Sequence, residues 1–466
     1  MITNKELIKQ FIDFEYNNDL FEWECSNIPI WELIRFEVFI AISKQCVKQS
    51  YKISDIKFKT LLVGLINYLN SGIWKRPKVY NKQTDLLILN HPRRKLINNF
   101  FEDIYVDSFI SSFDGSYIIL EKYFNLTHLK PVRSKNINYL DFLEFPSRFA
   151  NLFIFKNQLN KKEVNYIQHL EAIIQEQWNV SINLENRVIK TIKRYKFLFP
   201  KLLKLFKEIN PKIILNVVSY QIINQIFTII AKENKIPVVE LQHGTVGRYH
   251  IGYNYPENVL VKSFPDYFLA WGSFWTDYAR MPILRENIKK VGFPYIENFT
   301  ITEVKGKIDK QILVISQMRK DLVEFTIKIA DLLPDYHILF KLHPQEYNRK
   351  NDDLSALELI ENVNLINKES THLYQLFNES QIVLGVSSTA LIEALAFNSN
   401  IVILKLPGWE YFEDMKETEN FRFISNIFEF ENFIKVRAHS NNEIKLNNYF
   451  ENNSINKILG VINNLR

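Results

Sequence analysis

Residues 210–244 read NPKIILNVVSYQIINQIFTIIAKENKIPVVELQHG. The run NPKIILNVVS (210–219) is a short, continuous apolar stretch, the pattern of a strand buried on both faces. YQIINQIFTIIAKENK follows with apolar residues at helical spacing, and IPVVELQHG (236–244) is a second buried strand. Strand, helix and strand joined by short connections predict a right-handed crossover and a parallel strand pair.

The same alternation runs outward in both directions. Upstream, TDLLILNHPRR (84–94) and GSYIILEK (115–122) are apolar runs that break into polar residues, and residues 160–210 have helical periodicity with a basic face. Downstream, DYFLAWG (266–272) and the segment ending VGFP (291–294) continue the pattern. ENFTITEVKGKIDK is polar and aperiodic, so residues 295–310 are expected to be an interdomain linker. The alternation then restarts: QILVISQ (311–317), YHILFKLHP (336–344), VNLINK, QIVLGVSS (381–388) and NIVILKLPG (400–408) read as strands, with helices VEFTIKIADLLP, HLYQLFNES and TALIEALAF between them. The expected fold is α/β, with two Rossmann-like parallel-sheet domains and an N-terminal helical extension. The expected bounds are 1–80 for the helical region, in which IPIWELIRFEVFIAISKQ is the clearest helix, then 81–295 and 310–440 for the two α/β domains. A C-terminal helix is expected within 441–466.

Composition excludes several classes. The chain has 466 residues, 47% hydrophobic and 24% charged, which is enough for two or three domains. Its formal charge of +6 is mild, and no arginine-rich tract suggests nucleic acid. The Lys/Arg excess suits an anionic substrate or membrane surface. Two cysteines, Cys25 and Cys46, and no His/Cys cluster argue against a disulfide scaffold or a zinc site, so the expected setting is cytoplasmic. No signal-like h-region opens the chain, and no apolar run reaches the roughly 18 residues of a membrane span. The stretch from Phe58, FKTLLVGLINYLNSGIWKRPKVYNK, fits an interfacial helix on the inner membrane face or, more ordinarily, a helix packed in the N-terminal region.

In open parallel sheets ligands bind beyond the carboxyl ends of strands, and with two such domains the cleft between them is the expected site. Three strand ends carry chemistry there. The first holds Glu240, Gln242, His243 and Gly244. The second is Lys341-Leu342-His343-Pro344. The third is Gly385-Val386-Ser387-Ser388-Thr389, leading into a helix with Glu393. Hydroxyls and free N–H groups at a helix start suit the phosphates of a nucleotide, although a serine there is also the ordinary helix cap. His343 and Lys341 would serve the same phosphate if their strand lies beside the Ser387 strand. His243 and Glu240 are the candidate general bases. Strand alternation puts them on opposite faces, so they share a site only if the chain turns before Gly244. Arg248 and Arg319 follow strand ends and are candidate phosphate or acceptor contacts, as are Gln242 and Gly244.

KLHP, then GVSSTALIEALAF, then NIVIL, each at a strand end and in this order, resembles the C-terminal donor domain of GT-B glycosyltransferases. More narrowly it resembles the bacterial sialyltransferases and polysialyltransferases with their HP and SS/T motifs. Capsule and lipopolysaccharide Kdo transferases and teichoic acid glycerophosphotransferases are also similar. The resemblance covers roughly residues 210–410 and implies that His343, Ser387 and Ser388 contact a nucleotide phosphate, commonly of a CMP or CDP donor. It implies that Glu393 holds the ribose. The sialyltransferases place an acidic pair before a glycine in the N-terminal domain; here ELQHG stands instead, closer to the glycerophosphotransferases, which use a histidine near a glycine.

The expected activity is transfer of a sugar from a nucleotide-activated donor, CMP-linked by preference, to a surface polysaccharide or lipid-linked glycan. Direct, inverting displacement without a metal or other cofactor is expected, and the absence of an obvious DxD pair at a strand end is compatible with a metal-free mechanism. Two rival readings remain at this stage: a nucleotide-sugar epimerase of the 2-epimerase type, and a non-catalytic glycan-binding or assembly protein.

Overall fold

The computed structural model describes residues 2–46, 66, 69, 83–124, 127–150, 154, 159–302, 306–343, 346, 352–367, 372–415, 421–437 and 448–466. Most of the stretch from Phe58 to Lys82 lies outside them, as does Pro344.

The first domain is built on seven parallel strands: β1 (Thr84–Leu89), β2 (Tyr117–Glu121), β3 (Ile137–Tyr139), β4 (Pro211–Asn216), β5 (Val238–Leu241), β6 (Tyr267–Ala270) and β7 (Ile288–Lys290). Their spatial order is β7-β6-β5-β4-β1-β2-β3. The second has six: β8 (Ile308–Ile315), β9 (His337–Lys341), β10 (Val363–Ile366), β11 (Ser380–Gly385), β12 (Asn400–Leu404) and β13 (Phe421–Ile424), in the order β10-β9-β8-β11-β12-β13. Both sheets therefore have the 3-2-1-4-5-6 Rossmann order, the first with one strand added at its edge. The chain has two Rossmann-like parallel-sheet domains and an N-terminal helical extension.

The apolar runs explain the strands. Ile213, Ile214 and Leu215 of β4 and Ile382, Val383 and Leu384 of β11 are fully buried, as parallel strands covered by helices on both faces must be. Each such side chain contributes about 1.5–3 kcal/mol by leaving water. Helix Ile222–Glu233 buries Ile223, Ile226, Phe227 and Ile230 against the first sheet. In the extension, helices Asn4–Asn17 and Ile30–Cys46 are joined by a buried Arg35–Glu15 pair, and Arg35 also donates to the carbonyls of Ile251 and Asn254. The extension thereby anchors the loop that follows β5.

Three features differ from the sequence reading. The expected linker begins as helix Pro294–Thr302, because Pro294 presets the first turn and Tyr295 and Ile296 are buried. Two strands, β3 and β13, lie in segments too short and too polar to announce themselves. The C-terminal helix spans only Ser454–Leu465, and it packs on the first domain, with Ile458 and Ile462 among Leu86, Ile88, Leu269 and Val291. The Glu297 carboxylate accepts from the N–H groups of Asn453 (2.6 Å) and Ser454 (2.9 Å) where that helix begins. Gly292, at φ 86°, lets the returning chain pass: a Cβ there would stand 2.0 Å from the Glu451 carbonyl. No described helix is long and apolar enough to cross a membrane.

Candidate active site

In each sheet the chain reverses between its first and fourth strands, opening a crevice at their carboxyl ends. In the first domain that crevice lies between β1 and β4, with the loop from β5 beside it. β5 ends at Leu241, and the Gln242 amide then forces a turn: its Nε2 donates to the Gly244 carbonyl (2.8 Å) and its Oε1 accepts from the Trp271 N–H (2.8 Å). Gln242 is buried and spent on this turn. The turn breaks the strand alternation, which is how Glu240 and His243 reach one site.

They meet through a tyrosine. Glu240 is 0% exposed, and its Oε1 accepts from the Tyr253 hydroxyl (2.8 Å) and the Ser219 N–H (3.1 Å); Oε2 is buried and has no partner among the described residues. Burial pushes the Glu240 carboxyl up to about 7, against the hydrogen bonds from Ser219 and Tyr253. The Tyr253 oxygen lies 3.3 Å from His243 Nδ1, and the Tyr220 hydroxyl 3.1 Å from Nε2. With Tyr253 donating to Glu240, Nδ1 carries the proton and Nε2 is the accepting nitrogen. Burial, then His91 and His250, hold the imidazole well below its ordinary pKa, so it is neutral at pH 7. His243 is half-buried whereas Glu240 is sealed off, so the imidazole is the member of the pair that can meet a ligand.

Around this chain the first domain supplies aromatic and ionic support. Tyr105 donates to the His243 carbonyl (2.8 Å) and stacks on Phe293, which stacks on Trp271. The His91 ring lies 6.2 Å from that of His243. Burial, with Arg93 and Lys122 nearby, lowers His91 to about 4. Behind His91, Arg94 donates to Glu121 (2.6 and 2.8 Å) and contacts Asp107 (3.4 Å), all almost wholly buried. His128 joins Glu121 to Asp141. Burial and the neighbouring Asp107 raise the Asp103 carboxyl to about 7.

The strand ends of the second domain at the switch point carry hydroxyl and amide groups. Gln317, after β8, donates through Nε2 to Ser387 Oγ (2.9 Å) and accepts from the N–H groups of Ser387 (2.9 Å) and Val386 (3.2 Å). Ser388 caps helix Thr389–Glu393 by accepting from Ala390 N–H (3.3 Å). The Thr389 hydroxyl makes no hydrogen bond to a described residue and faces the first domain: a Cβ on Gly244 would stand 3.9 Å from it. Glu393 accepts from the Tyr374 hydroxyl (2.6 Å). β9 is separated from β11 by β8, so Lys341 and His343 are not beside Ser387; Gln317 is. Lys341 is buried, its carbonyl accepting from Ser316 N–H. The His343 N–H donates to Glu346 (2.7 Å), which also accepts from the Ser316 hydroxyl (2.6 Å).

The two arginines are engaged elsewhere. Arg248 pairs with Asp414 (2.7 Å) across the domains, and Arg319 pairs with Asp321 (2.6 Å) and donates to the Pro407 carbonyl. Site residues not singled out from sequence are His91, Lys95, Tyr105, Tyr220, Tyr253 and Gln317. His91, Tyr220 and Gln317 follow strands and were open to the same strand-end rule; Tyr105 and Tyr253 arrive from loops with no such mark. Among the described residues no group of three His, Cys, Asp or Glu side chains is placed to hold a metal ion.

No protein-family model matches this chain, and no curated protein does. Solved structures do. The UDP-GlcNAc 2-epimerase of Methanocaldococcus jannaschii, in complex with UDP-GlcNAc and UDP, is 12% identical over 82% of this chain and 100% of its own, at a TM-score of 0.47. The Neisseria meningitidis UDP-GlcNAc 2-epimerase bound to UDP-GlcNAc is 12% identical over 81% of this chain and 99% of its own, at 0.46. A variant of the wall teichoic acid polymerase TagF is 11% identical over 88% of this chain and 98% of its own, at 0.44.

Proposed function

We propose that the protein is a glycosyltransferase that moves a sugar from a nucleotide-activated donor to a hydroxyl of a surface polysaccharide or lipid-linked glycan. The observation that carries this reading is the approach of Gly244 to Thr389. It sets the His243 imidazole, on the end of one Rossmann sheet, opposite the hydroxyl-lined strand end of another. A base on one wall and phosphate-sized polar groups on the other are what group transfer from a nucleotide requires.

In this mechanism an acceptor hydroxyl displaces Tyr220 from His243 Nε2. The imidazole takes the hydroxyl proton as the oxygen attacks the anomeric carbon. The bond from that carbon to the phosphate oxygen breaks, and its electron pair leaves with the nucleotide. A single displacement of this kind inverts the centre. The imidazolium is stabilised through Nδ1–H, Tyr253 and the Glu240 carboxylate, so Glu240 is a positioning residue and His243 the catalytic one. Glu393, Ser387, Ser388 and Thr389 bind the nucleotide, with His343 further along the same edge. A CMP-linked donor is favoured by the sequence resemblance alone, and no step needs a metal.

The test is the melting temperature in the presence of CMP, CDP, UDP, GDP and UMP, since a nucleotide that binds the folded state raises it. At least one should give a saturable rise. If none does, the nucleotide reading fails.

A further inference from the structure

The loop after β1 carries a cation across the cleft. Lys95 opens a small antiparallel hairpin, Lys95–Ile97 with Phe100–Glu102, and its ammonium stands 5.0 Å from the ring centroid of Tyr295 and 5.1 Å from that of Tyr374. Tyr374 belongs to the second domain and holds Glu393 through its hydroxyl. A first-domain charge is thereby set into the wall that Glu393 occupies. Burial lowers the Lys95 pKa; Glu393 opposes the shift and Arg93 adds to it.

The placement leaves the charge incompletely matched. Aromatic faces attract an ammonium but offer no lone pair to its three N–H groups. Among the described residues the Lys95 ammonium makes no hydrogen bond and no ion pair. Of the cations nearby in the chain, Arg94 is occupied by Glu121 and Asp107 and Lys122 by Gln221 and Asn224, while Arg93 is exposed to solvent. A half-buried ammonium held between aromatic faces with no acceptor among the described residues has N–H groups left to pair with a ligand.

We propose that Lys95 is the first domain's own contact to the nucleotide, pairing with a phosphate oxygen of a nucleotide bound against the Tyr374–Glu393 wall. This rests on the nucleotide reading above. It makes the nucleotide a bridge: one domain holds it through Glu393 and Thr389, the other through Lys95. The product nucleotide is then held by the same contact until the cleft releases it.

The experiment compares wild type, Lys95→Met and Lys95→Arg in the full chain, reading the melting temperature without ligand and the affinity for whichever of CMP, CDP, UDP, GDP or UMP stabilises wild type. Methionine keeps the length and the aromatic packing and removes the charge. The expected result is an unchanged or raised ligand-free melting temperature in Lys95→Met, with nucleotide affinity weakened roughly tenfold to a hundredfold, as for loss of a charged hydrogen bond. Lys95→Arg should bind within a few-fold of wild type. Undiminished affinity in Lys95→Met overturns the proposal while leaving the nucleotide reading intact. So does a loss of affinity that comes with a lowered ligand-free melting temperature or is equally large in Lys95→Arg, because either outcome marks a structural role. If wild type binds none of the nucleotides, the function proposed above falls, and this proposal with it.

Discussion

The carboxyl edges of the two sheets have the same topology and opposite chemistry. On the first, Arg94, Glu121, Asp107, Asp103 and Glu240 are ionisable groups under cover, two of them raised to about 7. On the second, Gln317, Ser387 and Ser388 meet in neutral hydrogen bonds around the same switch point. Under the proposed function, the difference separates two tasks that one cleft combines. A wall that moves a proton needs a base held in one tautomer, and buried charges with few alternative partners hold it rigidly. A wall that admits a charged phosphate is better left without fixed carboxylates at the point of entry. Glu393 and Glu346 are exceptions: Glu393 is set back against Tyr374, and Glu346 is buried beneath Ser316 and the His343 N–H.

The hardest blow to this contrast falls on its chemical member. His243→Ala should lower sugar transfer by about 10²–10⁴-fold, the usual worth of a positioned base, with nucleotide-induced stabilisation retained. Transfer within tenfold of wild type, followed as release of free nucleotide, would remove the base from the first wall.

Stability separates the edges next. Arg94→Ala removes the guanidinium from the buried Glu121 and Asp107 carboxylates and should cost about 3–5 kcal/mol, as when one partner of a buried pair is removed. Gln317→Ala, on the neutral edge, should cost about 1 kcal/mol. Urea unfolding of both variants reads the two values directly; equal losses would mean that the edges do not differ in kind.

The most diagnostic effect is in pH. The Glu240 carboxyl stands at about 7 in the fold against 4.5 for the ordinary group. A folded-state pKa above the unfolded one means the folded chain keeps a proton the unfolded chain has already released. Its stabilisation is therefore complete below pH 4.5 and is lost as pH rises through 7, a change of up to about 3 kcal/mol for 2.5 units. The melting temperature of Glu240→Gln minus that of wild type should rise between pH 5 and pH 8. The acid limb of activity near pH 7 should be lost in the same variant, because glutamine cannot ionise to stabilise the imidazolium. A pH-independent difference in melting temperature would place the Glu240 pKa elsewhere.

Much of this was open to reading from residues. Continuous apolar runs such as PKIIL and QIVLG marked β4 and β11, and the strand-end rule led to Glu240, His243, Ser387 and Ser388. β3 and β13 were not legible, since INY and FRFI are too short to show a period against the flanking loops. Residues 295–302 read as the start of a linker because their polar residues mask Tyr295, Ile296 and Phe299, whose helical spacing matters only once Tyr374 and His372 are beside them. Lys95 and Tyr253 were out of reach for a related reason. Their significance lies in what they face, and those partners are Tyr374, 279 positions away, and His243 across a loop.

By itself the sequence determined the two parallel α/β domains, because buried strands need unbroken apolar runs and turns need polar breaks, and both are local signals. It also marked the strand ends that carry the candidate site residues. Only the tertiary structure decided how those ends act. Alternation along β5 opposes Glu240 and His243, and it took the Gln242 turn, with Trp271 and Gly244 as its partners, to bring them together through Tyr253. Burial, a property of the whole fold, then made one of them a sealed carboxylate near neutrality and left the other as the imidazole facing Thr389.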